Sequence, residues 1–330
     1  MVKLSIKEYT PKEKAVWDDF VLNHSINGTF LQTRQFLEYH KDRFDDTSLI
    51  IHKGTDTMVA VVPACIIIKE TRKKFSSHCG STFGGIVLGT IFNNIEHVEA
   101  IFEVLENYFI AQKYDEIEIK CTSSIFASGD THLLSYFLFQ KGYCAYDELS
   151  CLIDFKQYQE DVISNFTARK RRDYRYSLKY NMKFKKLDST DAIEEFYGVL
   201  CDNLKKYNTA PVHTLDELIE LKEKRLTNVI EFYGVYYTNI MIAGSMVFKF
   251  GHNVFHTQYL AANQQYLKLY PMNFLDTNLI QVAKEEGFQY FSFGISTEEH
   301  GKVLNKHLAQ FKEGFGTQYG INKTYIKKYR

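Results

Sequence analysis

Two stretches of this chain, about 180 residues apart, run through β-rich segments, a turn, an amphipathic helix and a further strand in the same order. That repetition constrains the fold more than any other feature. In the first stretch, Ser48–Lys53 and Met58–Lys69 are β-rich and are separated by the hairpin punctuation Gly54-Thr-Asp-Thr57. A glycine turn, Ser81-Thr-Phe-Gly-Gly85, precedes Ile95, Val98, Ile101, Phe102, Leu105 and Phe109 at helical spacing, and Asp115–Cys121 reads as the next strand. In the second stretch, Val229–Tyr237, Ile240–Phe250 and Asn253–Ala262 are the β-rich runs. A helix with Leu275, Leu279, Val282 and Ala283 on one face follows, Gly287 ends it, and Phe288–Phe293 is a strand. The order predicts two copies of one α/β unit in place of a single large sheet.

The remaining segments fit around this frame. Lys3–Tyr9 alternates as a strand, and Thr10, Pro11 and Glu13 supply an N-cap, a proline at N1 and a capping-box glutamate for a helix to about Asn23. Three helical segments join the copies: roughly 159–180, a second containing Ile193, Phe196, Leu200 and Leu204, and a third opened by Thr214 with Glu217. A further helix is expected over His300–Gln310, from Val303, Leu304, His307 and Leu308. The expected domains are residues 1–153 and 154–316, both α/β with mixed central sheets flanked by helices, and a last strand at 317–330.

Over 330 residues, 40 Lys plus Arg balance 40 Asp plus Glu, so no global basic field draws the chain onto DNA or anionic lipid, and such a partner needs a local patch. The longest uncharged apolar run, Met58–Ile68, is too short to span a bilayer, and the N-terminus lacks the apolar core of a secretory signal. The six cysteines (Cys65, Cys79, Cys121, Cys144, Cys151 and Cys201) show no metal-ligand spacing. They are expected to pack as small reduced hydrophobes, with no bound metal, in a cytoplasmic setting.

Four further stretches, in this order and combined with the duplication, carry a family resemblance: Gly28-Thr-Phe-Leu-Gln-Thr33, Ala168-Arg-Lys-Arg-Arg-Asp-Tyr-Arg175, Gln258-Tyr-Leu-Ala-Ala262 and Gln310-Phe-Lys-Glu-Gly-Phe-Gly316. The chain resembles two tandem GNAT folds, as in the Fem-type aminoacyltransferases and FemAB-like N-acyltransferases. The resemblance implies direct attack of an amine on a thioester or aminoacyl ester, without a covalent enzyme intermediate. It also implies that two strands of the second domain splay apart and leave a backbone N–H for the acyl carbonyl. The acceptor it implies is a small-molecule, glycan or peptide precursor of the cell envelope or of a polysaccharide. The implied co-substrate is acyl-CoA, an acyl carrier protein thioester or aminoacyl-tRNA, with no tightly bound cofactor. By the same resemblance the last strand returns to the first domain. The alternatives are tRNA-dependent aminoacyl transfer to a peptidoglycan precursor and a non-catalytic GNAT-like binding module. One departure concerns the donor: the stretch that would hold the pyrophosphate of acyl-CoA, Gln265–Asn273, has no glycine, although Lys268 and the amides after Pro271 could meet a phosphate.

Candidate site residues follow from type and place. The run around Arg169, Arg172 and Arg175 is either a solvated helix face or an anchor for phosphates. His213 stands on a loop just before the Thr214 cap, where an imidazole would be accessible, and His256 lies on the third strand of the second copy with Gln258 two residues on. His252 occupies the preceding turn. Both His213 and His256 are candidate bases. Tyr259, Tyr270 and Asn273 could line a substrate channel, and Phe293 ends a strand where ligands gather in α/β sheets. Lys312 falls in the last turn of a helix or just beyond it. There it is either a cation on exposed helix carbonyls or, by the resemblance, with Phe311 at the acyl-transfer cleft, orienting the donor or meeting the charge of the tetrahedral intermediate.

Overall fold

The capping box read at Thr10 is formed, with the Glu13 carboxylate accepting from the Thr10 N–H at 2.9 Å, and Pro11 starts a short 3-10 turn that feeds the first helix. The structure is a computed structural model describing residues 3–206, 208–251 and 253–329. The chain divides into two compact units, Met1–Asp147 with Ile321–Arg330, and Glu148–Gly320.

The first unit contains, in order, β1 (Leu4–Glu8), α1 (Lys14–Asn23), α2 (Arg34–Leu37), β2 (Asp45–Asp46), β3 (Leu49–Lys53), β4 (Thr57–Val62), β5 (Cys65–Lys69), β6 (Arg72–Ser77), β7 (Val87–Leu88), α3 (Ile95–Ala111), β8 (Glu116–Lys120) and α4 (His132–Gln140). Strands β1, β3, β4 and β7 form one antiparallel sheet, and β2, β5, β6 and β8 lie side by side in another. There β6 and β8 run parallel across the crossover helix α3, whose apolar stripe Val98, Ile101, Phe102, Leu105 and Phe109 is buried in the core. The single β-rich run expected over Met58–Lys69 is two strands. Pro63 has no N–H to give to a ladder, and the chain leaves one sheet for the other between Val62 and Cys65.

The motif Gly28–Thr33 has a structural reason in this unit. Gln32 is fully buried; its side-chain Nε2 donates to Gly84 O and Thr122 Oγ1, both at 2.9 Å, its Oε1 accepts from Thr29 N at 2.7 Å, and its backbone carbonyl accepts from Trp17 Nε1 at 2.8 Å. One amide thus ties the N-terminal segment to the glycine turn and to the chain leaving β8. Cys65 and Cys79 form a disulfide, against the expectation of reduced thiols throughout. They are fourteen residues apart, and the β5–β6 hairpin folds one back toward the other.

β9 (Cys144–Asp154) and β17 (Gln318–Lys328) each cross the division between units. In the first unit, Thr324–Lys328 of β17 pair antiparallel with Glu116–Lys120 of β8. The second unit contains α5 (Ala168–Ser177), β10 (Lys183–Lys186), α6 (Thr190–Lys205), α7 (Leu215–Glu220), β11 (Ile230–Tyr237), β12 (Ile240–Phe250), β13 (Val254–Ala262), α8 (Pro271–Glu285), β14 (Tyr290–Ile295), β15 (Thr297–Glu298), β16 (Val303–Leu304) and α9 (Lys306–Glu313). Strands β10 to β13 are an antiparallel meander, β14 joins β13 in parallel across α8, and β9 closes the row antiparallel to β14. Among the described residues each unit thus shows a parallel pair bridged by a crossover helix, which is the repeat read in the sequence.

Two helix expectations are corrected. The helix expected over roughly 159–180 is only α5, because Thr167 caps it, its side chain accepting from Lys170 N; an Asn165-centred loop fills the preceding stretch. The helix expected over His300–Gln310 begins at Lys306, where Asn305 caps it, and Val303–Leu304 pair with Thr297–Glu298 as a two-residue hairpin. Gly287 ends α8 with φ +79°, the left-handed conformation that glycine accepts without a Cβ clash.

Candidate functional site

The crossover of the second unit builds a gap. β13 and β14 share three rungs, Val254 with Tyr290, Phe255 with Phe291 and His256 with Ser292. Among the described residues the ladder stops there, although β13 runs on to Ala262 and β14 to Ile295. Both flanks show why. On the β12 side a register shift lies between Met246 and Val247, opposite Tyr259 and Thr257, so β13 carries an extra residue at Gln258. On the β9 side a shift between Ser292 and Ile295 makes Phe293-Gly294 a bulge, with Gly294 at φ +69°. A Cβ on Gly294 would stand 3.3 Å from Cε1 of His256, so glycine serves both the turn and the close approach.

Lys312 enters this bulge from α9. Only Ala309 and Lys312 of that helix are buried, one turn apart, so the helix presses this edge against the sheet. Lys312 is 3 % exposed, and its ammonium donates to Gly294 O at 3.2 Å and Ile295 O at 2.6 Å. Its charge is thus held on the end of β14 and not on the carbonyls of its own helix. Burial pushes its pKa down to about 8, with Cys151 and Asp276 pulling the other way.

A second lysine approaches through α5. Of the basic run, Arg169, Arg172 and Arg175 are exposed, and Arg169 and Arg172 face the Asp173 carboxylate at 3.9 and 3.3 Å. Lys170, between them in sequence, turns inward: its Nζ donates to Asn273 Oδ1 at 2.9 Å and lies 3.5 and 4.0 Å from the ring centroids of Phe311 and Phe315. Asn273 and Phe311 therefore hold a protein cation. One turn beyond Asn273 on α8, Asp276 is fully buried, and neither carboxylate oxygen has a hydrogen-bond partner among the described residues. Burial raises its pKa while Lys170 and Lys312 lower it, and burial lowers that of Lys170 against the pull of Asp276.

The histidines are less accessible than their sequence positions imply. His213 is buried, with Nδ1 2.7 Å from Tyr259 Oη, because the loop before α7 folds onto β13. Tyr259 itself stands on the part of β13 beyond the last rung, and burial pushes its phenol up to about 12. His256 Nδ1 is 3.1 Å from Ser292 Oγ, which accepts from Gly294 N–H at 3.3 Å. Burial and the charge of Lys312 push His256 down to about 4, so it is neutral near pH 7. His252 lies outside the described residues. Phe293 is in the core, stacked on Phe315 with centroids 5.5 Å apart and edge-on to Phe291 at 4.8 Å.

The glycine-free stretch before α8 reaches its turn by another route. Tyr270 takes the left-handed conformation, φ 58°, stacks on Tyr176 at 5.8 Å, and delivers Pro271 as the first helical residue, while Lys268 stays exposed. Reasoning from sequence brought Lys312, His256 and Phe311 to this neighbourhood and missed Lys170, Asp276 and Ser292. A lysine in a basic run carries no mark of burial. An aspartate at an apolar position of α8, between Leu275 and Leu279, was the one visible signal.

Residues 165–302 match the family model described as acetyltransferase (GNAT) domain. Comparison with curated proteins gives no match. Among solved structures, FemX aligns with a TM-score of 0.69 at 13% identity, over 97% of this chain and 96% of its own. L-PGS from Bacillus licheniformis aligns at 0.62 and 13%, over 98% and 94%. A tandem GNAT protein from the clavulanic acid biosynthesis pathway aligns at 0.58 and 7%, over 99% and 98%. At these identities the likeness is one of fold.

Proposed function

We propose that this chain, whose residues 165–302 match an acetyltransferase (GNAT) domain and whose fold is similar to that of FemX and of a tandem GNAT protein, is an N-acyltransferase that moves an acyl or aminoacyl group to an amine of a cell-envelope or polysaccharide precursor. The observation that carries this reading is the buried ammonium of Lys312 on the carbonyls of Gly294 and Ile295, where the β13–β14 ladder ends. A fixed positive charge beside a gap between two strands suits an acyl carbonyl on which negative charge develops during attack, since it needs no reorganisation at the moment of reaction. His213, held by Tyr259, and His256, held by Ser292, are the proposed proton acceptors for the amine, and transfer is direct. Arg169, Arg172, Arg175 and Lys268 are the proposed contacts for the donor's phosphates, and Tyr270, stacked on Tyr176, is a proposed ring contact for the donor.

The glycine-free turn at Tyr270 favours an aminoacyl ester on tRNA over acyl-CoA, because side chains stand where glycine would let backbone amides close on a pyrophosphate. A binding-module reading has its own support in the first unit. A cavity of 170 Å³ there has a mixed lining, with Ser123, Ser124, Thr131 and Ser135 beside the apolar Ile86, Ile119, Leu134 and Leu138, and is a place for a small ligand.

Melting the protein with acetyl-CoA, an acyl carrier protein thioester, aminoacyl-tRNA and nucleotide-sugars in turn tests the readings. A donor at about a hundred times its Kd adds about 2.7 kcal/mol, a shift of a few degrees. Stabilisation by aminoacyl-tRNA, followed by transfer to an amine, supports the proposal. Stabilisation by sugars alone, with no donor effect, replaces it with the binding module.

A further inference from the structure

We propose that His40 is an imidazolium at neutral pH, donating from both ring nitrogens and so fastening the turn at residues 78–85 to the segment after α2, and that this turn loosens when the proton is lost. The inference concerns the first unit and stands apart from the acyl-transfer reading. His40 lies in the 3-10 segment Glu38–Arg43 and is 4 % exposed. Its Nδ1 stands 2.8 Å from Leu37 O, and its Nε2 stands 3.0 Å from Gly80 O. A carbonyl oxygen only accepts and a neutral imidazole has one N–H, so a neutral ring would turn a bare lone pair on one of these oxygens. Both contacts are hydrogen bonds only when both nitrogens carry protons, and bonds from a charged donor are the stronger kind. Gly80 permits the approach, since a Cβ there would stand 2.1 Å from Nε2. The Tyr39 ring lies tilted against the imidazole with centroids 3.9 Å apart, a neighbour that favours a cation.

The ionisable groups at this place come from every element packed around it. The turn gives His78, stacked on His40 at 5.4 Å, with its Nδ1 accepting from Gly80 N–H at 3.2 Å. Burial first and the charge of His40 second push His78 down to about 3, so it is neutral and the stacked pair carries one charge. α2 gives Arg34, whose guanidinium meets the Asp46 carboxylate of β2 at 2.6 Å, and β8 gives Lys120, its Nζ donating to Ser81 O at 3.3 Å. On the segment itself, Glu38 is paired with Lys14 at 2.5 Å, and Lys41, Asp42 and Arg43 are exposed. What the clamp holds is the closure of the first parallel ladder. Among the described residues β6 and β8 share their last rung at Ser77 and Ile119, and the turn then lies across the end of the pair. Gly84 N–H donates to Lys120 O at 3.1 Å, Gly85 N–H donates to Ser77 Oγ at 3.2 Å, and Gly84 O accepts from Gln32. The second unit has the β13–β14 gap at the corresponding place.

The test reads the histidine ring nitrogens by NMR in protein labelled with ¹⁵N-histidine, with the Cys65–Cys79 disulfide intact, between pH 5 and 10. The His40 signals are assigned by their loss in His40→Gln. At pH 7 both His40 nitrogens are expected to carry protons, while His78 shows one bare nitrogen. A bare ring nitrogen on His40 at pH 7 overturns the proposal. Amide hydrogen exchange then reads the fastening. Protection of the amides from Gly80 to Gly85, corrected for the pH dependence of exchange itself, is expected to fall by about tenfold or more as His40 loses its proton. The sign follows from linkage: a proton held by the fold contributes stability at low pH, and that share is lost as pH rises through the titration of His40. His40→Gln has a single donor nitrogen and is expected to show the lower protection at every pH. Wild-type protection that stays level through the titration, or that equals the variant's at pH 6, overturns the fastening. Should His40→Gln not fold, ring-to-ring contacts with Tyr39 and Phe44 assign the His40 signals, and the wild-type protonation state and exchange profile decide.

Discussion

Replacing Lys312 by methionine removes an ammonium from the end of β14 while keeping a side chain of similar length and flexibility. In the fold, burial sets Lys312 at about 8 against its ordinary 10.5, so the site opposes the charged form by about 3 kcal/mol. Methionine lifts that cost. It also leaves the carbonyls of Gly294 and Ile295 without the donor they had at 3.2 and 2.6 Å, which costs about 1–3 kcal/mol each when no water replaces it. The terms have opposite sign and similar size, so the melting temperature should move by only a few degrees and donor binding should persist. Catalysis has no such offset. Losing one charge aimed at the oxyanion costs about 10²- to 10³-fold in kcat, or about 3–4 kcal/mol. The assay is single-turnover transfer with the donor that stabilises the wild-type protein, alongside a melt of both proteins. A variant that melts and binds like wild type and turns over within about threefold of it would show that Lys312 only pins α9 to the sheet, and the electrostatic argument would be refuted.

Gly294→Ala should destabilise the protein by about 1–2 kcal/mol, since φ is +69° and the new Cβ meets His256 at 3.3 Å; an unchanged urea midpoint would contradict the bulge geometry. His256 is pushed down to about 4 from 6.5, so the unfolded chain binds its proton first. Its share of stability is whole above about pH 6.5 and is lost as pH falls through 4, at up to about 1.4 kcal/mol per pH unit. His256→Asn should flatten that part of the stability–pH curve, and an identical acid slope in the variant would remove the assignment. Reversing Arg172 and Arg175 together to glutamate should abolish donor binding and reduce the salt dependence of any residual affinity, as fewer phosphates are neutralised. The same salt slope in the double variant would return both to a solvated face.

Much of this architecture is legible in one dimension because its causes are local. Strand periodicity, the Thr10 and Thr214 caps and the left-handed Gly287 are set by residues within a few positions of one another, and their order repeated twice is enough to imply two α/β units. Local signals also misled where a long-range contact decided the outcome. Nothing near Cys65 or Cys79 marks them as a pair, because the β5–β6 hairpin and the turn after β6 bring them together. The loop position of His213 reads as exposed, yet Tyr259, forty-six residues on, buries it.

For the site the division is sharper. The sequence by itself determined that a lysine would stand near the end of a helix in the second unit, and that β13 and β14 would be joined by α8. Only the tertiary structure decided where the charge goes. Lys312 binds carbonyls seventeen and eighteen residues away, and Lys170 crosses one hundred and three residues to reach Asn273. The physical reason is that desolvation is collective. Whether an ammonium is a solvated surface charge or a buried one depends on every element packed around it, and a basic run reads the same in both cases until α5, α8 and α9 close on one another.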